Sequence, residues 1–462
     1  MEKFLKRIKN SFVWDRKALL SFFRAFFNSF PFYIVETVLA LVFVVLRQEV
    51  LGAVVFVMLL SVLLVVCDDI LPTTLPFLLL CTFTTNCYNS YNTFIGYAIY
   101  APIPICALLF HFLIYRKPMR FGASIWGLYA VGFAVTLGGV GDFTVGEYVR
   151  GGYYMLGLGF GMIAAYYLMK SEFAVARKYD LKERFSWIMA LLGILATAMV
   201  LVGYLYFELG WKNGAYTRGF SSNNISTILM FAMPFGAYLG TRKRRRYMLL
   251  SALFYCGICL THSRGGLLFG TIEFWVCCTY WSLYGRRKWV RFLSCAMINT
   301  AIMGLLWGTL SDIVNDGFLA DGAIVGSIRY DMIWEAVDNF IERPFVGTGI
   351  LDDSISYGAF NKAGTMTWYH MMIPQIVGSM GLIGVAAYGY QFYGRAKLVF
   401  AKRSRWSLCL GISYLGVFLM SQVNPGEFCP LPFGLLAVLL FILQERRLEN
   451  NAAPLWQPAL SA

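Results

Sequence analysis

The stretch LTHSRGGLLFG, residues 260–270, sets His262 and Arg264 between two apolar runs, and Arg218, Arg329 and His370 are further ionisable groups at the ends of apolar runs or in the long loop between them. An arginine guanidinium presents a planar fork of donors that matches phosphate oxygens and stays charged at any physiological pH. Two or three such forks make a site for a diphosphate. When a bond between a sugar and a diphosphate breaks, negative charge builds on the leaving group, and preorganised arginines stabilise it where water is scarce. They can do so in place of a metal ion. An imidazole, with an ordinary pKa of about 6.5, suits the complementary task of removing a proton from an acceptor hydroxyl. His370 is the candidate for that task.

The chain has three histidines. His111 lies inside an apolar run and reads as a hydrogen-bonded core residue, while His262 neighbours Arg264 and could be its partner, a role the residues alone leave open. No metal constellation is expected: Asp68 and Asp69 stand apart from Asp352 and Asp353, and neither pair has histidines around it. The single CxxC, Cys256 to Cys259, sits in an apolar run and reads as packing. No GxxxxGK[ST] loop and no GxSxG elbow occurs, which removes P-loop nucleotide chemistry and elbow-type serine hydrolysis. No cofactor is expected.

The elements that must hold these residues follow from composition. With 58% hydrophobic and 14% charged residues in 462, the chain is far from soluble averages. A membrane-crossing helix needs about 20 apolar residues, and fourteen candidate runs are centred near 39, 58, 77, 105, 131, 161, 196, 233, 255, 275, 301, 382, 413 and 437. The expectation is an all-α polytopic membrane protein with about 14 transmembrane helices. Residues 1–30 are basic without a signal-type cleavage pattern and read as an amphipathic segment on the membrane surface.

The net charge of +14 raises nucleic acid as a partner, but the positive-inside rule explains it better. With the N-terminus cytoplasmic, 31 of the 39 lysines and arginines fall on inside segments, TRKRRR (241–246) and GRRKWVR (285–291) among them. Alternation holds through all fourteen spans, so both termini are expected in the cytoplasm and no nucleic acid is expected as a partner. Arg218, Arg264, Arg329 and His370 then lie on the extracytoplasmic side. The division is 31–310 for spans 1–11, 311–369 for a large extracytoplasmic loop, 370–445 for spans 12–14 and 446–462 for a cytoplasmic tail.

In that loop, Ile328, Met332, Ile333, Ala336, Val337 and Phe340 recur at helical spacing before Pro344, predicting an amphipathic helix that rests on the membrane or caps the bundle. Before the eighth span, Gly219 permits a turn and Ser221 to Asn224 can cap the helix.

Four elements in order resemble the O-antigen ligase and O-antigen polymerase superfamily of bacterial membrane glycosyltransferases. They are RGFSSNN (218–224), THSRGG (261–266), RYDMIWEAVDNFIERPFVGTG (329–349) and HMMIPQIVGSMGLIG (370–384). In the last, Met371 follows the histidine where the family commonly has Asn. The resemblance implies a GT-C-like helical bundle with a large outer loop. It also implies metal-independent transfer of a glycan from undecaprenyl diphosphate to an acceptor glycan or lipid, at the outer face of the cytoplasmic membrane. By position, Arg218, Arg264 and Arg329 would bind the donor diphosphate. Arg264, Arg329 and His370 would be the catalytic set, with His370 activating the acceptor.

Two other readings use the same residues differently. A transporter or flippase of lipid-linked oligosaccharide predicts two similar halves and ionisable residues at mid-membrane, where Glu36 and Glu273 are the clearest carboxylates. The related shape, elongation, division and sporulation family of peptidoglycan polymerases relies on a loop aspartate, for which Asp331 and Asp338 are available. The concentration of outer arginines in the second half of the chain favours the first family.

Overall fold

The computed structural model describes residues 16–46, 48–86, 100, 102–144, 152, 155–173, 179–206, 222–315, 328–349, 369, 371–401, 403–424, 426–428 and 431–449. These residues form seventeen α-helices and no strand. The chain divides into two compact units, Met1–Lys117 and Pro118–Ala462.

The first unit holds α1 (Arg16–Phe27), α2 (Phe30–Val45), α3 (Glu49–Val66), α4 (Leu71–Asn86) and α5 (Pro102–Ile114). Ser29 separates the first two: its hydroxyl accepts the Phe32 N–H at 3.4 Å, and Pro31 in the first turn needs no N–H partner. The resulting bend is 61°. Arg24 on α1 reaches across to the carbonyl of Val66 at 2.9 Å and to Asp68 at 3.6 Å. His111 is fully buried, and its Nδ1 donates to the Leu64 carbonyl at 2.9 Å, the core role expected of it.

The second unit begins with α6 (Ile125–Thr144). A π-helical turn, Met155–Gly161, then leads into α7 (Met162–Phe173). α8 (Leu181–Tyr206), α9 (Ser222–Arg242), α10 (Met248–Leu260), α11 (Arg264–Leu283), α12 (Lys288–Leu305) and α13 (Trp307–Val314) follow. The last four are α14 (Ile328–Glu342), α15 (Met372–Ala401), α16 (Arg405–Met420) and α17 (Leu431–Glu449).

The core of this unit is α9, buried on every side from Ile225 to Gly240 and surrounded by α8, α10, α11 and α16. Pro234 cannot donate to the carbonyl four residues back, so the helix carries a local defect that apolar surroundings punish. Hydroxyls from its neighbours donate to carbonyls beside it: Ser251 to Met233 at 2.7 Å and Ser413 to Phe231 at 2.8 Å. Two buried ion pairs pin the periphery, Lys170 to Glu445 at 3.0 Å and Arg395 to Glu427 at 2.6 Å. Hydroxyls of Tyr166 and Ser124 complete the shell of Glu445, and that of Tyr414 completes the shell of Glu427, as buried charges require.

A helix covers the centre of every one of the fourteen apolar runs. By length and composition, three are sufficient to cross a membrane alone: Glu49–Val66, Leu181–Gly203 and Met372–Ala401. Counting each of two bent pairs as one span, the number among the described residues is up to five. Outward-facing Val35, Val38, Val42, Leu51, Met58 and Val62 give the first unit an apolar exterior that suits lipid. The chain is a helical, membrane-embedded protein.

Candidate functional site

The turn between α10 and α11 carries THSRGG. Ser263 is the N-cap of α11, its Oγ accepting the Gly266 N–H at 2.9 Å, so Arg264 opens the helix with its side chain exposed. The Ser263 hydroxyl donates to Asn223 Oδ1 at 2.7 Å, which ties the first turn of α11 to the first turn of α9. One step deeper, Ser226 and Thr261 share a hydrogen bond of 2.8 Å. A side chain on Gly266 would run into the Ser226 side chain, so the glycine sets the closeness of the two helices. The two asparagines of RGFSSNN therefore reach neighbouring segments rather than only capping their own helix: Asn224 Oδ1 accepts from Asn424 Nδ2 at 3.3 Å.

His262 is strained. Its φ of 55° makes it the one non-glycine residue with positive φ among the described residues, a conformation that costs about 1–3 kcal/mol and gathers at functional sites. Burial pushes its imidazole down to about 4, and the carboxylate of Asp312 on α13 opposes part of that fall. The ring is neutral at physiological pH. Asp312 was not singled out from sequence, because nothing local relates it to a histidine fifty residues earlier.

The second half of the site is built around a broken helix. At Gly381, φ is 57° and α15 is interrupted. In a continuous helix the N–H groups of Leu382 and Ile383 would donate to the carbonyls of Gly378 and Ser379. Here Pro344–Gly349, just beyond α14, inserts between them. Thr348 and Gly349 donate to Gly378 and Ser379 at 3.1 and 3.2 Å, while Leu382 and Ile383 donate to Pro344 and Phe345 at 2.8 and 3.2 Å. Gly347, at φ 71°, lies against the Ser379–Met380 backbone, and Gly381 lies against Pro344 and Phe345, so neither position has room for a side chain.

α14 is thereby locked to α15. Met332 and Ala336 bury against Tyr369, whose hydroxyl accepts from Asn339 Nδ2 at 2.6 Å and whose N–H donates to Gln375 Oε1 at 3.1 Å. Gln375 in turn donates to Ser379 at 2.7 Å. The apolar positions predicted for α14 thus divide. Met332 and Ala336 face the protein, whereas Ile333 and Val337 are exposed alongside Trp334 and Ile341, a second apolar face that suits a membrane surface.

Ser421–Asn424 joins the two halves. The Ser421 carbonyl accepts the N–H of Met372 at the start of α15, Val423 packs against Gly265, and Asn424 holds Asn224. The N-termini of α9, α11 and α15 therefore meet around one turn, and three positive helix ends beside Arg264 favour an anion there. Arg218 and His370 lie outside the described residues. Arg329 stands in the first turn of α14, with its side chain outside them too. What is described is their footing: Met332 lies one turn on from Arg329, and it packs on Tyr369, the residue before His370.

From Arg264 an apolar track runs the length of α11. A groove of about 600 Å³ begins one turn on, lined by Leu267, Leu268 and Thr271 and walled by Trp307 and Leu310 of α13. A second, of about 580 Å³, continues past Trp275 and Val276 to Leu283, sharing Thr271 and Ile272 with the first. Twenty helical residues span about 30 Å, the thickness of a bilayer's hydrocarbon. Among the described residues no group of three or more His, Cys, Asp or Glu side chains is placed to hold a metal ion.

Comparison with known proteins adds no relative: no family model matches the chain, and neither a curated protein nor a solved structure does.

Proposed function

We propose that this chain is a membrane glycosyltransferase of the O-antigen ligase and polymerase type, with a fold of the GT-C kind spanning the cytoplasmic membrane about fourteen times. It takes a glycan from an undecaprenyl-diphosphate donor and gives it to an acceptor hydroxyl of a glycan or lipid at the extracytoplasmic face. The observation that carries this reading is the junction at Ser421–Asn424. There the segments bearing Arg264 and His370 share one turn, at the head of an apolar track long enough for a polyprenyl chain.

In this reading Arg218, Arg264 and Arg329 hold the donor diphosphate, and the three helix ends add to their field. The acceptor oxygen attacks the anomeric carbon while His370 takes its proton. The bond from that carbon to the diphosphate oxygen breaks, the electron pair leaves with undecaprenyl diphosphate, and the arginines stabilise the new charge without a metal ion. His262, neutral and strained beside Arg264, adds no charge to this site but fixes the direction of the turn.

The test is transfer by reconstituted full-length protein, supplied with undecaprenyl-diphosphate glycan and either a lipid-anchored acceptor or a second donor molecule, with and without chelator. Product from wild type and not from Arg264→Ala or His370→Ala is expected, unchanged by chelator. Equal product from all three proteins would sink the proposal.

A flippase or transporter of lipid-linked oligosaccharide is the second reading, and Glu273 favours it. This carboxylate is fully buried at the middle of α11 against Gly416, and neither oxygen has a hydrogen-bond partner among the described residues. Isolated carboxyls in apolar surroundings mark proton or cation pathways in transporters. Glu273→Gln separates the readings: a flippase loses donor translocation in sealed vesicles, whereas a transferase keeps glycan transfer.

A further inference from the structure

α9 starts beside Ser263 and ends at Arg242, which pairs with Asp180 at 3.1 Å at the opposite end of the second unit. At that end lies a cavity of about 180 Å³ between the starts of α8 and α16 and the end of α17. Three of its lining residues are cations, Lys182, Arg446 and Arg447, and its apolar floor is Trp406 and Leu443. Arg447 is only 5% exposed, with its Nη1 donating to Ser404 Oγ at 3.4 Å.

Among the described residues, Asp180, which also lines the cavity, and the nearby Glu183 and Glu445 are engaged with other groups. Asp180 takes the N–H groups of Lys182 and Glu183 as well as Arg242, Glu183 pairs with Lys243 at 2.7 Å, and Glu445 pairs with Lys170. The helix end is therefore already satisfied by Asp180, and the cavity's positive field comes from side chains. Membrane topology and the helix dipole explain basic residues at the end of α17. They do not explain an open polar space beneath a guanidinium that is nine-tenths buried. A water occupies roughly 30 Å³ in the liquid, so the space holds a small polar group of several heavy atoms.

We propose that this cavity binds a phosphate group, held by the Arg446 and Arg447 forks and by Lys182, with the Trp406–Leu443 floor under the organic part of its carrier. Basic pockets between helices at a membrane surface take phosphorylated lipid headgroups, and free phosphate offers the same chemistry. The site is separate from the Arg264 turn, and it stands whether or not the chain transfers glycans.

The test uses purified, delipidated full-length protein and follows thermal unfolding against three probes: dihexanoyl phosphatidylglycerol, inorganic phosphate and phosphate-free dihexanoylglycerol. Stabilisation by the phospholipid is expected, with apparent affinity falling about tenfold or more in Lys182→Gln/Arg446→Gln. It should persist in Arg286→Gln, a basic residue exposed elsewhere. Arg447→Lys, which keeps the charge and loses the fork, should weaken binding as well. If that variant fails to fold, the double variant decides, since both its side chains reach the surface. Equal stabilisation by inorganic phosphate, with the same sensitivity to the variants, assigns the site to free phosphate and upholds the chemistry. No stabilisation by either phosphate probe, equal stabilisation by dihexanoylglycerol, or an unchanged affinity in the double variant overturns it.

Discussion

Arg264 and His262 sit two residues apart and behave differently because their surroundings do. Arg264 opens α11 with its side chain exposed, so truncating it should leave folding intact while removing charge stabilisation from the departing diphosphate. We expect Arg264→Ala to lower the transfer rate about 10²- to 10³-fold, with Arg264→Lys recovering only part of it, measured with saturating donor. His262 is half-buried with its pKa depressed to about 4. Between that value and the ordinary 6.5 of an unfolded chain, the unfolded state binds more protons, so stability rises with pH across this window and levels off above it. Its contribution is complete above about pH 6.5 and is lost as pH falls towards 4. Melting curves from pH 4 to 8 should therefore show a slope in wild type that His262→Gln flattens. A rate profile with a limb near pH 6–7 that survives in His262→Gln would be assigned to His370.

At the scale of elements, the decisive device is the latch between the end of α14 and the break in α15. Four backbone hydrogen bonds replace those that a continuous helix would make, and they exist only while Gly347 and Gly381 keep positive φ. Gly381→Ala should destabilise the protein by about 2 kcal/mol or more, because the left-handed backbone and the contact with Pro344 both resist a methyl group. Thermal melts in detergent give the measurement, and equal melting of Gly381→Ala and wild type would show that the latch contributes little. The apolar track on α11 makes a different prediction. Leu268→Trp should raise KM for a donor with a full polyprenyl chain and leave KM for a short-chain donor unchanged, since only the long chain needs the groove.

At the scale of the whole molecule the proposals rest on sidedness. An impermeant maleimide applied to intact cells expressing a cysteine-free background should label Lys362→Cys and leave Arg286→Cys untouched until the membrane is opened, since 31 of 39 basic residues favour that orientation. The reverse pattern would place Arg264 in the cytoplasm and end the transferase reading. Chain asymmetry bears on the alternative. The boundary after Lys117 leaves one unit of 117 residues against 345, a division unlike the two matched halves of a repeat-built transporter.

Hydrophobic runs and helical spacing determined which residues are helical here, because in a membrane an apolar segment must satisfy its backbone internally and the i to i+4 bond is local. That is why α14 and its stop before Pro344 were legible as a repeat, as was the core role of His111. The partners were not. Asp312 near His262, Asn223 against Ser263, Asn424 against Asn224, Tyr369 on Met332 and Arg395 with Glu427 join residues from 32 to 200 positions apart. No local pattern encodes such pairs, since each depends on which helix faces arrive side by side. The break at Gly381 belongs with them: glycine permits the positive φ, but the segment Pro344–Gly349 must be docked before the opened helix can hydrogen-bond.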